Sequence, residues 1–219
     1  MIKRLQLFLA FLCCVSLLGN PTAFATDKKP ASILVLGDSL SSAYGIDSDQ
    51  GWVALLQNKL TQNGYEYRVI NASVSGDTTR TGLSRIETAL RSHKPEIVIV
   101  ALGGNDGLRG LAFVEMENSL SNIIERCQQS NAKVLLVGVR LPPNYGPVYT
   151  QKFAALYKNL AQRFGIPLVP KILNQVADKS VLMQQDGMHP TAEAQPQIMQ
   201  NVWPVLETLL VSNKNKATN

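Results

Sequence analysis

Polar and apolar positions along this chain follow two rhythms. Ser32–Leu36 is a short apolar run that stops at Gly37, and similar runs recur at Tyr67–Ile70, Ile97–Leu102 and Val134–Val139, with a weaker one at Ile166–Val169. Unbroken apolar runs of this length, bounded by turn residues, suit strands buried on both faces. Between them the spacing changes to three and four. Trp52, Leu55, Leu56 and Leu60 mark one helix, and Leu83, Ile86 and Leu90 a second. Leu120, Ile123, Ile124 and Cys127 mark a third, and Phe153, Leu156, Tyr157 and Leu160 a fourth. Ile198, Val202, Val205, Leu206 and Leu209 predict a last one. Strands alternating with helices imply an α/β fold, a parallel sheet covered on both sides. No internal repeat, linker or low-complexity stretch divides it, so one domain is expected.

The first 25 residues stand apart from that pattern. Lys3 and Arg4 precede an apolar run from Leu5 to Leu18, and Pro21–Ala25 ends in small residues. This is the layout of a secretory signal, with cleavage expected after Ala25 and a periplasmic destination. The run of about 14 apolar residues is short of the ~20 that span a bilayer. Cys13 follows Leu12, where a lipoprotein signal would carry a small residue. Residues 26–219 are then the mature domain, with a polar tail from about Asn213 and no membrane anchor expected.

Composition narrows the function by exclusion. Loss of Lys3 and Arg4 lowers the formal charge from +5 to +3, too mild for nucleic-acid binding. Cys127 is the one cysteine beyond the leader, so no intramolecular disulfide forms. The 194 residues that remain of 219 are enough for a core that is stable alone. Nothing demands more than a monomer.

Four short segments carry the candidate chemistry: Gly37-Asp38-Ser39-Leu40, Ser75-Gly76-Asp77, Gly103-Gly104-Asn105-Asp106 and Asp186-Gly187-Met188-His189-Pro190. The first three begin where an apolar run ends, at the carboxyl edge of a parallel sheet, where ligands bind. Ser39 is a nucleophile if a base takes its proton, and a helix cap otherwise. Asp38 reads as a turn-fixing group. Of the two histidines, His93 sits at a helix end, where the dipole favours an exposed imidazole. His189 is the candidate base. Asp186, three residues before it across Gly187, can hold its tautomer and stabilise the imidazolium. Gly76 can present a backbone N–H, and Asn105 a side-chain amide. With the N–H of Ser39 these make a three-donor oxyanion hole.

In these blocks the chain resembles the SGNH (GDSL) hydrolase superfamily, and within it the periplasmic acyl-CoA thioesterase I, lysophospholipase L1 and arylesterase group. The similarity extends from Ile33 to about Leu210 and includes the loop Arg140-Leu141-Pro142-Pro143-Asn144-Tyr145-Gly146. It implies a flavodoxin-like three-layer α/β/α sandwich with a five-stranded parallel sheet. It also implies a Ser39–His189–Asp186 triad, an oxyanion hole of Ser39, Gly76 and Asn105, and no metal or cofactor. A Gly-x-Ser-x-Gly elbow is absent around Ser39, unlike a conventional α/β-hydrolase. The implied substrate is a small-molecule acyl ester or thioester. Leu108, Arg109, Leu111, Leu141, Asn144 and Tyr145, in the loops 106–111 and 141–148, are expected to line the acyl chain, beside Phe113. Deacetylation of envelope polysaccharide, or fatty-acid or lysolipid carriage without catalysis, are the alternatives.

Overall fold

A computed structural model describes residues 30–214. The leader expected at 1–25 and the end of the polar tail lie outside them. Five parallel strands, β1 (Ala31–Gly37), β2 (Tyr67–Asn71), β3 (Ile97–Ala101), β4 (Lys133–Val137) and β5 (Leu168–Val169), form one sheet in the order β2-β1-β3-β4-β5. The helices are α1 (Trp52–Gln62), α2 (Thr79–His93), α3 (Gly104–Leu108), α4 (Phe113–Gln129), α5 (Pro147–Phe164) and α6 (Gln195–Lys214).

The strand runs are apolar throughout because both faces are covered. Side chains on a strand alternate between faces, so each run feeds two cores. Ile33, Val35, Ile97, Ile99, Leu135 and Val137 point to one side and pack against Trp52 and Leu56 of α1 and Ile198 and Val202 of α6. Leu34, Leu36, Val98, Val100, Val134 and Leu136 point to the other, onto Ile86 of α2, Ile123 of α4 and Phe153 of α5. The result is the expected three-layer α/β/α sandwich. Cys127 is buried within it, and burial pushes its thiol up to about 12, which leaves it unreactive.

Topology sets the site. Chain order reverses on either side of β1 and β3, which lie next to one another, so the loops leaving their carboxyl ends diverge and open a crevice. Asp38 to Leu40 leave β1 there, and Gly103 to Asn105 leave β3. Gly103 holds φ at +111°, and a Cβ at that position would collide with Tyr157 and Met116, so glycine is required for the turn into α3. Strand and helix periodicity do not anticipate that short helix.

Candidate active site

The nucleophile segment is a run of turns between β1 and α1, so Ser39 does not cap a helix. Asp38 Oδ1 accepts the N–H of Leu40 at 3.1 Å, and the carbonyl of Asp38 accepts from Ser41 and Ser42. These bonds fold the chain tightly under Ser39, in the turn-fixing role expected of Asp38. Asp38 is 4% exposed, and burial raises its carboxyl from 3.8 to about 6, against the lowering effects of the Leu40 N–H and His189.

The base segment folds on itself. Asp186 Oδ1 accepts the backbone N–H groups of Met188 at 2.9 Å and His189 at 3.0 Å, while Oδ2 lies 2.6 Å from His189 Nδ1. Gly187 turns the chain between them at φ +66°. The His189 side chain and these two N–H groups hold Asp186 down at about 2. A charged carboxylate only accepts, so Nδ1 carries a proton, and in the neutral ring that leaves Nε2 facing outward as an acceptor. Nε2 lies 2.9 Å from Ser39 Oγ, across 150 residues of sequence. The Tyr44 ring lies against the imidazole, centroids 4.5 Å apart.

The two other blocks meet beside this chain of contacts. Asn105 Nδ2 donates to the carbonyl of Asp77 at 2.9 Å. An amide nitrogen carries two hydrogens, so a second donor remains for a ligand. Gly76 sits at φ +83° in the same loop. Its peptide is held from behind, because Arg109 Nη2 donates to its carbonyl at 3.1 Å. Asp77 pairs with Arg85, and Ser75 Oγ meets Ser42 Oγ at 2.8 Å, tying this loop to the Ser39 turn. Buried Asp106 accepts from Thr79 N at 2.9 Å and from Thr79 Oγ1 at 2.6 Å, joining the first turn of α2 to α3. His93 is remote, at the end of α2 as expected, where its carbonyl accepts from Ser32.

A cleft of about 600 Å³ opens onto Ser39, Asn105 and His189, in the size range of small-molecule sites. Of the six residues expected along the acyl chain, Leu108 and Leu141 line it. The other four lie elsewhere. Arg109 is bound to Gly76, and Leu111 is exposed beyond α3. Asn144 is exposed, and Tyr145 turns its hydroxyl to the Leu108 carbonyl at 2.8 Å, bracing the loop from outside the cleft. The far wall instead comes from the β5–α6 connection, through Leu173, Ala177, Met183 and Met188. The Asp186–Pro190 block had already placed the end of this connection at the site, but Leu173, Ala177 and Met183 upstream of it show no helical or strand period that would mark them as a wall. Arg140 and Asp178, which pair with each other, close the two walls. Among the described residues, no group of three or more His, Cys, Asp or Glu side chains could hold a metal ion.

Comparison with known proteins agrees in extent and kind. The family model for GDSL-like lipases and acylhydrolases matches residues 35–195. Esterase TesA of Pseudomonas aeruginosa is 48% identical over 179 residues, 82% of this chain and 89% of that protein. Thioesterase 1/protease 1/lysophospholipase L1 of Escherichia coli K12 is 44% identical over 165 residues, 75% of this chain and 78% of that one. Among solved structures, the crystal structure of TesA superposes with a TM-score of 0.81, covering 82% of this chain and 99% of that one. The psychrotrophic esterase EstA of a Pseudoalteromonas species, inhibited by monoethylphosphonate, gives 0.78 at 37% identity, covering 82% and 98%.

Proposed function

This chain belongs to the GDSL-like lipase/acylhydrolase family, as an enzyme that hydrolyses esters and thioesters, and from that premise we propose that Ser39, His189 and Asp186 carry the reaction through an acyl-enzyme. The observation that carries the proposal is the continuous contact Asp186 Oδ2–His189 Nδ1, then His189 Nε2–Ser39 Oγ, at 2.6 and 2.9 Å. A serine hydroxyl becomes a nucleophile only when a base accepts its proton in this geometry.

The steps follow from the atoms. Ser39 Oγ attacks the acyl carbonyl carbon while its proton passes to His189 Nε2. The carbonyl oxygen becomes an oxyanion beside the N–H groups of Ser39 and Gly76 and the free N–H of Asn105. His189 returns the proton to the departing alcohol or thiol, leaving the acyl group on Ser39. Water then attacks the ester, with His189 again taking the proton, and the acid and free Ser39 are released. Asp186 stays ionised throughout and balances the charge on the imidazolium. Leu108, Leu141, Leu173 and Met183 supply apolar wall for the acyl chain. No step needs a metal or cofactor.

We place the enzyme in the periplasm as one catalytic domain following a cleaved leader, on the strength of Lys3, Arg4 and the apolar run to Leu18. No helix among the described residues is long and apolar enough to cross a membrane. A lysophospholipid or other exogenous acyl ester suits that compartment, with a monomer sufficient for the chemistry.

The direct test is hydrolysis of p-nitrophenyl esters from acetyl to palmitoyl by the parent enzyme and Ser39→Ala. The parent turns them over with a defined chain-length optimum. The variant loses on the order of 10⁶-fold in kcat while remaining folded. Turnover retained by folded Ser39→Ala would sink the proposal.

A further inference from the structure

The bond between Ser39 and His189 joins two segments with no regular structure: the turns from Asp38 to Gly51, and the loop from Met183 to Pro190. Neither segment pairs with the sheet, so something else must hold Oγ and Nε2 at 2.9 Å. Two glutamine amides bridge them, one between the residues that flank the segments and one between the segments themselves. Gln195, 2% exposed at the start of α6, accepts the N–H of Trp52 at 3.0 Å and donates to the Thr191 carbonyl at 3.1 Å. Trp52 Nε1 in turn donates to the carbonyl of Leu40. This buried tie fixes where the segments enter the fold.

Gln184 lies closer to the chemistry. Its Nε2 donates to the Tyr44 carbonyl at 2.9 Å and to the Pro190 carbonyl at 2.9 Å, while its backbone N–H donates to the His189 carbonyl at 2.7 Å. Both side-chain contacts are carbonyl oxygens, so only the NH₂ end of the amide can face them, and both of its hydrogens are used. The Tyr44 N–H donates to the carbonyl of Ser39 itself. A path of three hydrogen bonds therefore runs from Ser39 through Tyr44 and Gln184 to Pro190, next to His189. Gly45 is fitted to this bridge, for a Cβ there would collide with the Gln184 amide.

We propose that Gln184 is a positioning residue, which sets the distance and angle between the nucleophile and its base without touching substrate. The inference rests on the triad reading above and names what holds that triad together. Gln184 does not line the cleft, so its loss acts on chemistry and leaves ground-state binding alone.

The experiment compares Gln184→Met, Gly45→Ala and Gln57→Met with the parent on p-nitrophenyl acetate, with melting temperatures beside the kinetics. Gln184→Met keeps the length of the side chain and removes both donations. Gly45→Ala displaces the amide from the opposite side, and because Gly45 holds φ at +76° it also strains the backbone, a cost that the melting temperature reads. Gln57 makes a similar amide bridge, to Tyr67 O and Val69 N, far from the site. It reports what losing such a bridge does to structure alone. The expected result is kcat lowered on the order of 10- to 100-fold in Gln184→Met, in the same direction in Gly45→Ala, with KM little changed. Gln57→Met keeps the parental kcat. Parental kcat in either folded site variant, an effect confined to KM, or an equal fall in Gln57→Met would overturn the proposal. Loss of the triad reading has a different signature, namely activity that survives Ser39→Ala.

Discussion

At the scale of the residue, two carboxyls three residues or fewer from Ser39 and His189 respond to their surroundings in opposite ways. Asp186 is held at about 2 by its bonds to His189 and to the Met188 N–H. A lowered carboxylate stabilises the fold above its ordinary value near 3.8, and that contribution fades as the pH falls toward 2. Asp38 is raised by burial to about 6. Its folded form holds the proton more tightly than the unfolded chain does, so ionisation opposes folding above pH 6, and the penalty vanishes below about 4. Asp38→Asn keeps an oxygen for the Leu40 N–H. Urea unfolding should show this variant more stable than the parent at pH 8, by up to about 3 kcal/mol, with the two curves converging at pH 4. An advantage of the same size at both pH values would contradict a buried, ionising Asp38. Asn105 gives a second prediction. Its amide has one donor on Asp77 and one left for the oxyanion, so Asn105→Ala should lower kcat by on the order of 10²–10³-fold. A fall below tenfold would remove Asn105 from the oxyanion hole. Every triad and oxyanion candidate was legible in the sequence because each belongs to a short block of unusual residues. Gln184 and Gln195 were not, since a glutamine two residues before Asp186 or at the start of a helix has no signature until its partners, over a hundred residues away, are seen.

At the scale of the element, the strands and the long helices follow from periodicity, and their order follows from the chemistry of parallel pairing. Ser32–Leu36 read as a strand because both faces of β1 are buried, with Ile33 and Leu34 each fully enclosed by different layers. The fifth run, Ile166–Val169, shrinks to the two residues of β5, since Pro167 has no N–H to donate to the sheet. Periodicity also missed α3, five residues long and held by tertiary contacts. Its Asp106 receives both Thr79 N–H and Thr79 Oγ–H at 1 to 3% exposure, so α2 and α3 are bonded head to head beneath Gly76 and Asn105. Asp106→Ala leaves two buried donors unpaired. Chemical unfolding should register a loss on the order of 3 kcal/mol, accompanied by lower kcat as the oxyanion donors drift apart. A neutral effect on stability would mean that this junction carries little.

At the scale of the whole molecule, the sheet order brings four distant blocks to one edge and the crevice between β1 and β3 gives them a cleft. The residues that shape that cleft were harder to foresee than those that react in it. Residues next to a reactive block were expected to line it, and Leu108 and Leu141 do, yet Leu111, Asn144 and Tyr145 face solvent or brace a loop, while the β5–α6 connection supplies a wall. Ala177 stands on that wall and is exposed, so it can accept a larger side chain without disturbing the core. Ala177→Trp should shift the ratio of kcat/KM for acetyl over decanoyl esters toward acetyl, and an unchanged ratio would place the acyl chain elsewhere. The central claim is a covalent intermediate on Ser39. It is tested most directly by quenching the enzyme with acid within the first turnovers on a p-nitrophenyl ester and measuring intact and peptide mass. The account predicts a single acyl group on Ser39, absent from Ser39→Ala. An acyl group on another residue, or steady turnover by Ser39→Ala with no adduct, would contradict it.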